Sequence, residues 1–290
     1  MILAAAVEHD YRRRRRARRW TVLLWGTVLL AALLASAWMS EVSPSALLAG
    51  LPRAGDYFAK LVPDLQWRHL LSGAQTAGSV AYWFYRLDLW LWLLLQTSQM
   101  AALATVLGAA LALLLCFPAS ANLAPSRATY IVCRRLLDLF RSVPDIVYAL
   151  ILVWAFGVGP PAGIFAIALH TVGALGKLFA EAVENADLGP WDGVRAAGGT
   201  WAQAVRYAIL PQVAPNFLSY VLLRFEINVR GATVIGFVGA GGIGQELYTV
   251  ISFSYYQEIS AIVVLIVLAV SLIDILSERL RSVAMRGAGA

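Results

Sequence analysis

Long apolar runs separated by shorter polar stretches set the pattern of this chain. Six of them are candidates to cross a membrane: residues 20–39, 89–117, 142–156, 162–183, 217–238 and 259–276. A spanning helix takes about 20 predominantly apolar residues. The run at 142–156 falls short of that, and a charged helical turn with Arg134, Arg135, Asp138 and Arg141 extends it backward. The spacing predicts Arg134–Asp138 and Asp138–Arg141 pairs there, and Pro144 predicts a kink. Small residues in the second run (Ala101, Ala102, Ala104, Gly108) suit close helix packing. Residues 40–88, with Pro44, Pro52, Pro63 and scattered charges, are too polar to span. Trp83, Tyr85, Trp90 and Trp92 near the end of that segment read as an interfacial aromatic belt. Residues 184–211 are also too polar to span.

Composition agrees with lipid as the solvent. The chain is 60% hydrophobic and 14% charged, where soluble domains carry roughly 25% charged residues. A net charge of +6 raises the question of nucleic acid. Seven of the 23 Lys+Arg, however, fall in one run, Arg12–Arg16 with Arg18 and Arg19, directly before the first apolar stretch. That is the cytoplasmic flank of the positive-inside rule, and no basic and aromatic surface of the nucleic-acid-binding kind accompanies it. Sixteen Lys+Arg fall on the side of the termini and four on the other. Both termini and the 184–211 loop are therefore expected in the cytoplasm. Residues 35–37 (Ala-Ser-Ala) mimic a signal-peptide cleavage site, but the preceding stretch is long enough to span, so an uncleaved first helix is expected. Cys116 and Cys133 form no disulfide framework and read as small hydrophobes. The expected organisation is a basic N-terminus at 1–19, a first helix with a periplasmic segment at 20–88, a permease core at 89–281 and a tail at 282–290.

The 184–211 loop has internal structure. Asp192–Ala197 reads as a helical turn with an acidic start, favourable against the helix dipole. Gly198 and Gly199 break it and permit a positive φ. Thr200 can cap a second helix, and Pro211 is expected to stop or redirect the chain. On physics alone this is a docking surface or an ordinary connector.

The stretch resembles the cytoplasmic signature loop of binding-protein-dependent ABC importer permeases, written E-A-A-x3-G-x9-I-x-L-P. Gly198, Leu210 and Pro211 match in register; Asp192 stands for the Glu, Gly193 and Val194 for the two Ala, and Ala208 for the Ile. The flanks at 181–190, 195–198, 210–212, 224–230 and 238–244, with residues 141–144 upstream, are similar to the permease subunit of phosphonate importers. The resemblance covers residues 134–281. It implies an all-α bundle of six transmembrane helices of the type I importer kind, working by alternating access, with a cytoplasmic coupling helix in the loop 184–213. The residues that would meet the ATPase are Asp192, Gly193, Val194, Arg195, Ala196, Gly198, Gly199, Thr200, Trp201, Leu210 and Pro211, with Arg206 near them and Trp201 wedging into the ATPase surface. The implied partners are an ABC ATPase dimer carrying ATP and Mg, a second permease copy or related permease, a periplasmic or lipoprotein substrate-binding protein, and membrane lipids. No cofactor is expected in this chain.

Charges inside spans are costly and usually face a cavity or a partner. Arg224, Glu226, Asn228 and Arg230 lie in the fifth run, His170 and Lys177 in the fourth, and Asp274 near the end of the sixth. Glu226–Arg230 and Lys177–Glu181 are spaced to pair. These charges are either interhelical ion pairs or a cationic passage lining for a phosphonate-like anion, to which the planar guanidinium fork is suited. His170 is an interior histidine or a substrate contact. Gly239, Gly241, Gly242 and Gly244 satisfy G-x-G-x-x-G, but an apolar run follows where a dinucleotide site needs a βαβ unit. A flexible non-cytoplasmic connection is expected instead, with exposed backbone N–H groups able to face an anion, or a close-packing bend. No metal spacing, nucleophile–base pattern or Walker loop is present, so the chain is read as a transport subunit and not an enzyme. An ion-coupled secondary carrier of a small anion is the alternative.

Overall fold

The computed structural model describes residues 2–40 and 43–287. Positions 41–42 of the segment 40–88, and positions 288–290 of the tail 282–290, lie outside the described residues. The described chain is nearly all helical and divides into two compact units, 1–60 and 61–290.

The first unit holds α1 (Ile2–Met39) and α2 (Pro44–Leu61, whose last residue opens the second unit). α1 is longer than the expected 20–39 because arginine is a good helix former and nothing in the basic run breaks the helix. The stretch His9–Met39, which contains the apolar run, qualifies as a candidate span.

The second unit is built on α4 (Leu87–Cys116) and α7 (Pro160–Glu184), preceded by the short α3 (Val80–Trp83). α4 and α7 approach closely because small residues line their contact: Ala101, Ala104 and Ala112 are fully buried. A Cβ on Gly108 would lie 2.6 Å from Thr171 Cγ2 and 3.0 Å from the Ala168 carbonyl. α5 (Arg127–Ser142) and α6 (Asp145–Phe156) follow one another along α7. Leu137 of α5 packs on Gly173 and Gly176, while Ala149 of α6 joins Ala166 and Ile167 in the core. The proline at 144 does more than kink this stretch. It forces Val143 into an extended conformation (φ −87, ψ 123) and splits it into two helices. At 1.5 Å per residue, the 12 residues of α6 reach only about 18 Å, short of a hydrocarbon core of about 30 Å. Four described helices are long and apolar enough to cross a membrane: His9–Met39, Leu87–Cys116, Pro160–Glu184 and Tyr256–Ser282. A bent pair, Trp201–Val238 with Gly242–Ser252, makes up to five. The expected count of six is not reached by this measure.

After α8 (Gly189–Ala196) and α9 (Trp201–Ala204), a π-helical turn (Val205–Ile209) leads without interruption into α10 (Leu210–Ile235). Pro211 therefore neither stops nor redirects the chain. It sits in the first turn of α10, where its missing N–H is least costly. A 3-10 turn (Gly236–Val238), α11 (Gly242–Ser252) and α12 (Tyr256–Gly287) complete the unit. The glycine segment is a packed bend, not a flexible connection: Ala240 through Gly244 are buried. Gly239, Gly241 and Gly242 have φ of +88, +86 and +71, and a Cβ on Gly244 would collide with the Thr233 carbonyl. Phe179 and Phe217 stack at 4.1 Å to tie α7 to α10. Outward apolar side chains such as Leu114, Trp154 and Leu272 stay exposed, as lipid-facing residues do.

Candidate functional site

Two regions carry the candidate chemistry. The first is the segment from Asp187 to Gln212. Pro190 and Asp192 both lie in the first turn of α8. The helix ends as glycine termini do: Gly198 adopts φ +83, and the Gly199 N–H reaches back to the Val194 carbonyl at 2.9 Å. A Cβ on Gly199 would lie 2.6 Å from Val194 Cγ1. Thr200 then makes the expected cap, in full capping-box form: it accepts from the Gln203 N–H, while its own N–H donates to Gln203 Oε1 at 2.7 Å. Asp192, Gly193, Arg195, Ala196, Gly198, Thr200 and Arg206 are exposed together, with Val194 and Gly199 half-buried behind them. Arg195 Nη1 donates to the Gly199 carbonyl at 2.8 Å, bracing the crest.

Two side chains anchor this crest. Trp201 does not project outward: its indole N–H donates to the Leu123 carbonyl at 2.7 Å, and its ring packs on the core around Phe179 and Ile209. The expectation that Trp201 wedges outward is thus replaced by an inward anchor, because an indole N–H is best satisfied by a nearby carbonyl. The second anchor was not singled out from sequence. Gln212 accepts from the Asp187 N–H at 3.0 Å and donates to the Asp187 carbonyl at 3.0 Å and the Ala208 carbonyl at 2.7 Å. It closes the loop across 25 residues. The carboxyl of Asp138, on α5, is held below the usual carboxylate range, first by its hydrogen bond to Arg141.

The second region lies where α4, α7 and α10 meet. Asn228 Nδ2 donates to Thr105 Oγ1 at 2.8 Å and Thr171 Oγ1 at 3.0 Å, and all three residues are buried. Next to them Arg224 Nη2 donates to His170 Nδ1. Arginine can only donate, so the ring proton of a neutral His170 sits on Nε2. Arg224 also approaches Thr171 Oγ1 at 3.5 Å. No described ion pair gives Arg224 a carboxylate within 4.0 Å. Asp145, at the start of α6, spends one oxygen on the Ile146 N–H at 2.9 Å; the other lies 3.2 Å from where a Gly231 Cβ would stand.

The other intramembrane charges are paired, though not all as expected. Glu226 and Arg230 do not pair with each other. Glu226 meets Arg281 at 3.1 Å and Arg230 meets Asp274 at 3.1 Å, both on α12. The antiparallel neighbour brings opposite charges within direct reach of both. Glu226 Oε1 and Arg281 Nε nevertheless have no well-aligned hydrogen bond, so that contact is chiefly electrostatic. Arg134 pairs with Glu184 at 3.1 Å and not with Asp138, which takes Arg141 at 3.0 Å and Arg135 at 3.4 Å. Lys177 and Glu181 pair as expected, at 3.9 Å. In the glycine segment two backbone donors are taken within the fold: the Gly239 N–H bonds the Gly236 carbonyl at 3.0 Å and the Ile243 N–H bonds Thr97 Oγ1 at 2.9 Å.

The described residues thus form a bundle of membrane-length apolar helices that carries a polar crest between two of its helices. Residues 104–285 match the family of binding-protein-dependent transport system inner membrane components, and the chain belongs to that family. HtxC of Stutzerimonas stutzeri, a candidate phosphite transport system permease protein, is 35% identical over 97% of this chain and 91% of its own length. PhnE2 of Escherichia coli (strain K12), a candidate cryptic phosphonate transport system permease protein, is 51% identical over 40% of this chain and 95% of its own. The inward-facing MetNI methionine ABC transporter superposes with a TM-score of 0.60 at 21% identity, covering 69% of this chain and 97% of that one; this likeness concerns the fold. The chain is thus the inner-membrane permease subunit of an ABC importer, a multi-pass protein and not an enzyme. ATP hydrolysis belongs to a separate ATPase, and a substrate-binding protein and more than one permease subunit belong to such systems.

Proposed function

We propose that this permease carries a phosphorus oxyanion, phosphonate or phosphite, across the inner membrane by alternating access. The observation that carries the substrate reading is Arg224: a partly buried guanidinium hydrogen-bonded only to the neutral His170 and Thr171 among the described residues, with the Asp145 carboxylate near enough to be felt but not in an ion pair with it. A cation with no directly paired carboxylate among spanning helices is costly and is relieved by a passing anion, whose oxygens fit the guanidinium fork. The names of the relatives support the same substrate class. Arg224, His170 and Asn228 line the passage in this reading. Glu226, Arg230 and Lys177, each with its own counter-charge, hold helices together, and Gly239, Gly241, Gly242 and Gly244 shape its end by close packing. The crest of Asp192, Gly193, Arg195, Ala196, Gly198 and Thr200, backed by the half-buried Val194 and Gly199 and with Leu210 and Pro211 at its base, receives the ATPase dimer on the cytoplasmic side, where both termini lie. A second permease copy completes the pathway.

The test is uptake of labelled phosphite and methylphosphonate by cells lacking other importers for them and expressing this permease with its ATPase and binding protein. Uptake is expected with the parent and lost with Arg224→Gln at equal membrane abundance. Uptake that survives ATP depletion, or an Arg224→Gln variant as active as the parent, contradicts the proposal.

A further inference from the structure

α2 carries an apolar face that nothing else in its unit covers. At about 100° per residue, Leu47, Leu51, Ala54 and Phe58 fall within an arc of roughly 60°. Arg53, Asp56 and Lys60 fall within a second arc of roughly 60° on the far side of the helix. Leu47, Leu51 and Phe58 are 63%, 63% and 65% exposed. Helices with a clean division of this kind and modest overall hydrophobicity lie in a membrane interface. The chain itself indicates the surface within reach. α1 is a spanning helix that ends at Met39, and Ser43 opens α2, accepting from the Ala46 N–H at 3.1 Å. The few residues between them can bridge at most about 15 Å, so the helix starts within the headgroup zone into which α1 emerges.

We propose that α2 lies flat on the phospholipid surface at the leaflet where α1 ends. Leu47, Leu51, Ala54 and Phe58 rest among the acyl-chain ends, while Arg53 and Lys60 reach the headgroup phosphates. With the N-terminus cytoplasmic, this is the outer leaflet, a placement that rests on the orientation proposed above. The helix then acts as a float that fixes the depth and tilt of α1.

The experiment uses the full chain in nanodiscs of phosphatidylethanolamine and phosphatidylglycerol, with Cys116→Ala and Cys133→Ala. Nitroxide labels are placed one at a time through Leu47→Cys, Leu51→Cys, Phe58→Cys, Arg53→Cys and Asp56→Cys. All five label positions are exposed, so labelling does not disturb a core. The first three labels are expected to collide several-fold more with oxygen than with a water-soluble nickel chelate, and the last two to show the reverse. Five labels equally open to the chelate would overturn the proposal in favour of a solvated helix. Labels at 47, 51 and 58 shielded from both and immobilised would overturn it in favour of a protein partner. The outcome does not depend on the transported substrate, so it stands or falls apart from the uptake test.

Discussion

The Glu226–Arg281 contact between α10 and α12 offers a quantitative test of how the helices are held. The Glu226 side chain is 7% exposed and the Arg281 side chain 27%, with 3.1 Å between their charged atoms. Removing one member of a buried pair costs about 3–5 kcal/mol, because the other charge is left without compensation. Glu226→Leu strands an arginine that retains some exposure, so the lower end, about 3 kcal/mol, is expected. Arg281→Met strands the better-buried carboxylate and is expected to cost about 4 kcal/mol. Glu226 Oε1 and Arg281 Nε lack well-aligned hydrogen bonds, so the intact pair repays little of its own desolvation. The double variant is therefore expected within about 2 kcal/mol of the parent, with an apolar contact in place of the pair. Unfolding in mixed detergent–SDS micelles, followed by tryptophan fluorescence, measures all four corners of the cycle. Losses that simply add, giving a double variant about 7 kcal/mol below the parent, would refute the reasoning and mean that the two charges act independently. Uptake by the double variant adds a functional readout: retained uptake fits a helix clasp, whereas lost uptake in a stable protein would return Glu226 to the passage.

Gly198→Asn is expected to preserve, and Gly198→Val to impair, stimulation of the ATPase by loaded binding protein; no atom lies within 4 Å of a Cβ there, so only the φ of +83 distinguishes them. Trp201→Phe removes the N–H that satisfies the Leu123 carbonyl and is expected to cost about 1–2 kcal/mol, read as faster hydrogen exchange across residues 117–126 and 197–205. Because the folded-state value for Asp138 is lowered, first by Arg141, its contribution to stability is present above the unfolded value of about 3.9 and lost as pH falls through the folded value. Arg141→Gln should raise the Asp138 titration midpoint in carbon NMR, and an unchanged midpoint would contradict the assignment.

The chemistry of single residues and the apolar runs were legible in the sequence; contacts across helices were not. The capping box at Thr200 and the break at Gly198 follow from local backbone preferences and stand in the structure as expected. The division of the 127–156 stretch into α5 and α6 was only half legible, since Pro144 announced a kink but hydropathy alone could not show that Val143 leaves the helix. Spacing along one helix suggested Glu226–Arg230, whereas the charges that neutralise them lie 55 and 44 positions away on α12. Gln212 looked like any polar residue at a helix start. Its role depends on the Asp187 backbone coming to meet it, which only the fold arranges.

The π-helical turn at Val205–Ile209 has a consequence for how the crest and the span are phased. The Leu210 N–H reaches five residues back, to the Val205 carbonyl, so one residue is accommodated beyond what an unbroken α-helix would hold. Each residue of an α-helix corresponds to a turn of about 100°. A single-residue deletion between 205 and 209 would therefore let the turn relax to α geometry with α9, and the crest before it, kept in phase with α10, whereas the same deletion in the regular part of α10 would turn the crest by roughly that angle relative to the rest of the span. The direction in which the crest faces is thus counted out along α10 to a single residue, and the turn at 205–209 holds one residue in reserve.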